Sequence, residues 1–174
     1  MCPQTSYSIN IPAVAYPGQI ADNGDHDILS AAAYAAAMIY GTLGVTDETN
    51  TTTVEFLAVR APSASGDITV MGAQLGVVVA DQARAQNPAV STPQYPQYAS
   101  VPLMRKGRIW VNAEQALTDG TNPYIRYTVN GALYVGNFRA DADTSKAAQL
   151  TSGQAIVRGT TTAAGYACIE LDLV

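Results

Sequence analysis

Apolar and polar residues alternate along the last third of the chain. Ile169, Leu171 and Leu173 fall on one face of an extended segment, and Glu170 and Asp172 on the other. Ile109 and Val111 alternate in the same way with Trp110 and Asn112. Tyr124–Val129 predicts a strand, Asn130-Gly131 is a strong hairpin signal, and Leu133–Val135 is expected to return from it. Asp119-Gly120 and Asn122-Pro123 mark turns. Earlier in the chain, Val54–Val59 and Ile68–Val70 predict short strands, separated by a turn through Ser63, Ser65 and Gly66. Leu75–Ala80 is apolar on both faces and predicts a buried strand. Short strands punctuated by turns every ~8–12 residues predict an all-β fold, a jelly-roll-like sandwich or barrel.

Three stretches depart from this pattern. Residues 1–30 hold Pro12, Pro17 and Gly18, then the polar run Asp22-Asn23-Gly24-Asp25-His26-Asp27, without sustained periodicity. They predict an extended N-terminal arm, leaving residues 31–174 as a single β domain. The run Ser30–Tyr40 is alanine-rich and has high helix propensity, with Asp25 or Asp27 placed to cap a helix that Gly41 and Gly44 would end. Between Gln86 and Ser100 the repeated Pro-Gln-Tyr triplets predict a stiff loop that cannot enter a sheet interior. Tyr95 and Tyr98 give that loop contact area with few torsions to freeze. A surface loop with no partner is the competing reading.

The 174-residue chain carries 13% charged residues and a net charge of -5. A chain of this size buries enough surface to fold without a metal or a disulfide. With two lysines, Lys106 and Lys146, and scattered arginines, it lacks the basic cluster that phosphates require. Neither a nucleic acid nor a membrane surface is expected as partner. No apolar run is long enough to span a bilayer, and the N-terminus has no signal-peptide pattern, so a cytoplasmic origin is expected. Cys2 and Cys168 read as two free thiols of a reducing compartment.

The chemistry needed for catalysis is sparse. The single histidine, His26, lies between Asp25 and Asp27, and neighbouring side chains of an extended segment point apart rather than toward one ion. A nucleophilic triad would have to use that same histidine on the arm. Asp141 and Asp143 read as turn residues, and no glycine cluster forms a phosphate cradle. The expectation is a protein without enzymatic activity, metal or cofactor.

Val101-Pro-Leu-Met-Arg-Lys-Gly-Arg-Ile-Trp-Val111 resembles a segment of the structural cement proteins of tailed bacteriophages. The resemblance continues through Tyr124–Tyr127, Gly136–Asp143 and Ala167–Leu173, with weaker similarity at Met38–Thr46 and Gly72–Val79. The alanine-rich lead-in and the long Pro-Gln-Tyr loop depart from the family pattern. The resemblance implies a strand beyond Met38, and a β-tulip-like decoration fold is the alternative to a jelly roll. It also implies a virion protein on the outer capsid surface that binds the phage major capsid protein and stabilises contacts between its subunits. Self-association as a homo-oligomer, dimer or trimer, is expected with it. Interfaces favour aromatic and arginine anchors, which makes Tyr95, Tyr98, Arg105, Arg108 and Trp110 the candidate contacts, with core packing as the stronger alternative for Trp110. A carbohydrate-binding β module of a head fibre is the competing function. A major capsid or tail subunit would need a longer chain with a long helix.

Overall fold

The computed structural model describes residues 16–22, 24–34, 36–47, 57–69, 74–81, 94–151 and 153–173. Expectations for Cys2, Val54–Phe56, Val70 and the start of the Pro-Gln-Tyr loop lie outside the described residues. Within them the chain is all-β, apart from one short helix. The first strands are β1 (Asp27–Ala33), β2 (Met38–Ile39), β3 (Leu43–Asp47) and β4 (Ala58–Arg60). Helix α1 (Ser65–Thr69) precedes β5 (Leu75–Val78), β6 (Gln94–Tyr95) and the long β7 (Ser100–Ala113). Then come β8 (Tyr124–Arg126), β9 (Phe138–Arg139), β10 (Ala147–Gln149), β11 (Ala155–Val157) and β12 (Gly165–Asp172).

Five strands close on themselves. β1 pairs with β4 in parallel and with β7 antiparallel, while β4–β3, β3–β5 and β5–β7 complete the ring. The interior of so few strands is narrow, since even ~8 strands leave only enough room for side chains. This explains its small residues. Ala31 and Ala33 point into a cluster with Val59, Val78, Val101 and Leu103, closed at one end by Met38, Tyr40 and Tyr95. A Cβ added at Gly44 would lie 2.8 Å from Val59 Cγ2, and one added at Gly76 would lie 2.8 Å from Leu103 Cβ. Ala31–Ala33 are therefore strand, and no helix occurs among the described residues of the alanine run. Alanine is a weak strand former, but here packing space overrides propensity.

β7 serves two cores, and one irregularity lets it do so. Val101 and Leu103 enter the small ring core, whereas Met104, Ile109, Val111 and Ala113 enter a larger one. In a regular strand Val101, Leu103, Ile109 and Val111 would share a face. The pairing of Asp27 with Lys106 and of Ile28 with Met104 skips Arg105, a bulge that reverses the alternation. Gly107 follows with φ 113°, and an added Cβ there would lie 2.5 Å from both His26 Cδ2 and Met104 Cε. Beyond the bulge β12 pairs with β7 from Lys106 to Ala113, and β11 pairs with β12. The alternating Ile169, Leu171 and Leu173 join Ile125, Phe138, Ala155 and Val157 in the larger core, as the sequence pattern predicts.

The described part of the expected arm, residues 16–22 and 24–30, lies along β7. Gly18 donates its N–H to the carbonyl of Trp110 at 2.7 Å, Trp110 donates to Gln19 at 2.9 Å, and Ala21 donates to Arg108 at 2.8 Å. β1 then continues on the same edge of β7, opposite β12, because Lys106 pairs with both Asp27 and Asp172.

Two elements differ from expectation. Ile68 and Thr69 belong to α1, not to a strand. The Asp67 carboxylate accepts from the N–H of Ser63 at 2.7 Å and forms a two-pronged pair with Arg60, which tightens the turn ahead of the helix. Ile68 still reaches the larger core. At Asn130-Gly131 the hairpin shrinks to a single bridge between Asn130 and Leu133, and β9 rather than 133–135 pairs back onto β8.

Two glycine substitutions test the bulge. Gly107→Ala is expected to lower stability by about 1–3 kcal/mol, since both the backbone conformation and the space oppose a Cβ. Gly66→Ala, in open space within α1, is expected to raise it by about 0.4–1 kcal/mol. Urea unfolding of both variants checks this, and equal midpoints would refute the role given to Gly107.

Candidate interaction surface

The five residues singled out in the sequence do not form one surface. Tyr95 is buried, its ring centroid 5.0 Å from that of Tyr40 and its hydroxyl donating to the Val79 carbonyl at 3.1 Å. Tyr98 is 69% exposed, on a turn with φ 65°. Arg105 is half-buried at the bulge, 3.8 Å from Asp27. Arg108 and Trp110 share one face of β7, where Arg108 donates to Glu170 at 2.8 Å and Arg158 meets the same carboxylate at 2.9 Å. Trp110 is half-buried, its backbone covered by Gly18 and Gln19. His26 pairs with Asp22 at 2.8 Å, rather than with the flanking Asp25 and Asp27. The result on this side is a charged surface on which Arg108, Arg158 and Glu170 are joined and His26 is held by Asp22.

A second region is apolar and exposed. The loop between β8 and β9 carries Val129, Leu133 and Tyr134, and Tyr166 at the start of β12 stands nearby; the four range from 36% to 64% exposed. Leu133 and Tyr134 form the ridge between two open grooves. One, of about 350 Å³, is also lined by Met38, Thr42 and Ala61. The other, of about 690 Å³, is walled by Tyr16, Pro17 and Tyr166. Clustered exposed apolar side chains on a soluble domain mark contact sites, whereas isolated ones do not.

Beneath this loop lies a buried ion cluster. Arg126 is fully buried and donates to Glu114 through Nε at 2.6 Å and Nη2 at 2.7 Å, and to Asp143 at 2.7 Å. Arg139 donates to Glu114 at 2.9 Å and to Asp141 at 2.6 Å, and lies 3.1 Å from Asp143. Asp143, Thr144 and Ser145 all have positive φ, so the Asp141–Asp143 segment is indeed a tight turn. It is also the acidic side of the cluster, a role not visible from turn chemistry alone. The Gln115 amide and then the Arg139 guanidinium hold Asp141 down at about 2, and Arg126 is the main cause lowering Asp143. Arginines fix these carboxylates in their ionised form, which suits a clamp more than proton transfer. Among the described residues, no three His, Cys, Asp or Glu side chains converge on a possible metal position.

The sequence missed this site because Val129 and Leu133 read as strand residues flanking a hairpin. A usable signal was present. Arg126, Gly136, Arg139, Asp141 and Asp143 all fall within the segments that carry the cement-protein resemblance. At Gly136, with φ 88°, an added Cβ would lie 2.7 Å from the Leu43 carbonyl, so the loop can return to the sheet only through glycine.

This is an all-β structural domain in which most of the described arginines pair with carboxylates and whose apolar loop is open. Residues 3–172 match the structural cement protein family (E217 gp24/Pam3 gp6), and the chain belongs to that family. Among solved structures it is similar to a chain from "The capsid of Myoviridae Phage XM1", with a TM-score of 0.64 and 10% identity, covering 95% of this chain and 96% of that one. At that identity the likeness is one of fold. No curated protein matches the sequence.

The acid response follows from these pairings. Both aspartates are depressed, so their contribution to stability is complete above the unfolded carboxyl value of about 3.9 and is lost as pH falls. For Asp141 the loss runs from there down to about 2. Urea midpoints are expected to fall over that window, and more shallowly in Asp141→Asn. Parallel curves for the two proteins would show that this pair does not set the acid limb.

Proposed function

We propose that this protein binds the outer surface of a tailed-phage head and stabilises contacts between major capsid subunits, without enzymatic activity. Membership of the cement family makes it a structural virion protein. The observation that carries the finer reading is the loop bearing Val129, Leu133 and Tyr134, apolar, exposed and uncharged, in a chain of net charge -5. Such a surface loses unfavourable contact with water when it meets a shell subunit and carries no ion that must be desolvated. Tyrosine adds contact area at low entropic cost. Tyr98, exposed elsewhere, supplies a second contact, whereas Arg105, Arg108 and Trp110 lie on the charged side of β7 and stay outside the contact. Tyr95 acts from inside by fixing the turn that carries Tyr98.

The net charge favours the outer face, because packaged DNA would repel an acidic chain at the inner wall. A closed shell also places its decorations in symmetric copies, so the protein works there as a homo-oligomer, dimer or trimer.

Cosedimentation with heads lacking the protein tests the contact. Leu133→Asp and Tyr134→Ala are expected to weaken binding by about tenfold or more, because central anchors dominate interfaces. Their melting temperatures should stay within a degree or two of the parent, since both side chains are exposed. Full-strength binding by both variants would move the contact elsewhere.

A further inference from the structure

The apolar loop is held in a way that its own sequence does not require. Arg126 stands at its N-terminal root and touches both ends. Its backbone N–H donates to the Asn137 carbonyl at 3.0 Å, and its carbonyl accepts from Gly136 at 2.8 Å. Its side chain reaches on into the loop, Nη1 donating to the Thr128 carbonyl at 3.2 Å. Through Nη2 it fixes Asp143, whose same oxygen accepts from Asn130 Nδ2 at 3.2 Å. Glu114 and Arg139 close the cluster from behind. Thus one fully buried guanidinium is tied to residues on either side of the exposed Val129, and the loop has polar struts below and apolar side chains above.

A buried ion cluster is a poor device for stability, because desolvation offsets much of its attraction. It is well suited to fixing geometry, since its hydrogen bonds are directional and a displaced member leaves an unpaired buried charge. We propose that the cluster of Arg126, Asp143 and Asn130 is the positioning device of the capsid-contacting loop, holding it in its binding shape before it meets the shell. This rests on the reading that the loop is the contact. A loop ordered beforehand loses less conformational freedom on binding and so binds more tightly with the same contacts. Arg126, Asp143 and Asn130 are positioning residues, and none needs to touch the partner.

Asn130→Ala and Asn130→Leu test this, because both remove the amide that reaches Asp143, leave every ion pair of Arg126 in place and should fold. Each is measured for melting temperature, for hydrogen exchange at the amides of residues 129–135, and for binding to heads that lack the protein. The expected result is faster exchange confined to the loop, binding weaker by about tenfold, and little change in melting temperature. Unchanged exchange and unchanged affinity, with Leu133→Asp still failing to bind, would overturn the positioning role while leaving the loop as the contact. If Leu133→Asp also binds normally, the reading of the loop as the contact fails instead. A general loss of exchange protection together with a lower melting temperature would make the cluster a stabiliser of the domain and refute the proposal.

Discussion

A strand alternates its side chains between two faces, and β7 must fill two cores that the alternation alone would not let it fill. The bulge at Arg105 solves this by reversing the alternation between Met104 and Ile109. Everything downstream follows from that reversal. The ring of β1, β4, β3, β5 and β7 closes around Leu103, and the second half of β7 then turns Ile109 and Val111 toward β12. Without the extra residue, Arg108 and Trp110 would point into the larger core and Ile109 would face outward. The conformation of Gly107 and its close approach to His26 and Met104 leave no room for a side chain at this point of the strand.

The two faces that result differ in their chemistry. Toward β12 the outer surface carries Arg108, Glu170 and Arg158, already joined to one another, with Asp22 3.8 Å from Arg108. Exposed pairs of this kind contribute little energy and tolerate water. Around the β8–β9 loop Arg126, Arg139 and Glu114 are buried and the apolar groups exposed, the reverse of the usual arrangement. Arg126 and Glu114 sit inside while Val129 and Tyr134 stand outside. That inversion is hard to account for in a chain that has no partner, and it is what a rigid contact surface requires.

Much of the fold was legible from alternation. The core faces of β12 and of the second half of β7 follow from period-two patterns, the buried β5 from an unbroken apolar run, and the all-β class from short strands set between turns. The sequence misled where space rather than propensity decides. The alanine run left helix and extended chain open because alanine favours helices, and Ala31 and Ala33 turn out to be strand residues that fit a narrow ring. Ile68 reads as strand, but Asp67 and Arg60 draw that segment into a helical turn. The contact surface was less legible still. Interface statistics favour Trp and Arg, but here Trp110 is half-buried and Arg108 already paired, while the open residues are Val, Leu and Tyr beside an Asn-Gly turn. Only the tertiary fold shows that Arg126 and Asp143, 17 residues apart, meet beneath that turn.

The central claim is that the β8–β9 loop faces the shell. A reconstruction of the intact virion at a resolution that shows side chains tests it directly. The account predicts density for this protein outside the shell, with Leu133 and Tyr134 packed against a major capsid subunit and Arg108 and Glu170 turned to solvent. A particle in which the Arg108–Glu170 face lies on the shell and the loop points away, or in which the protein lines the inner wall, would contradict it.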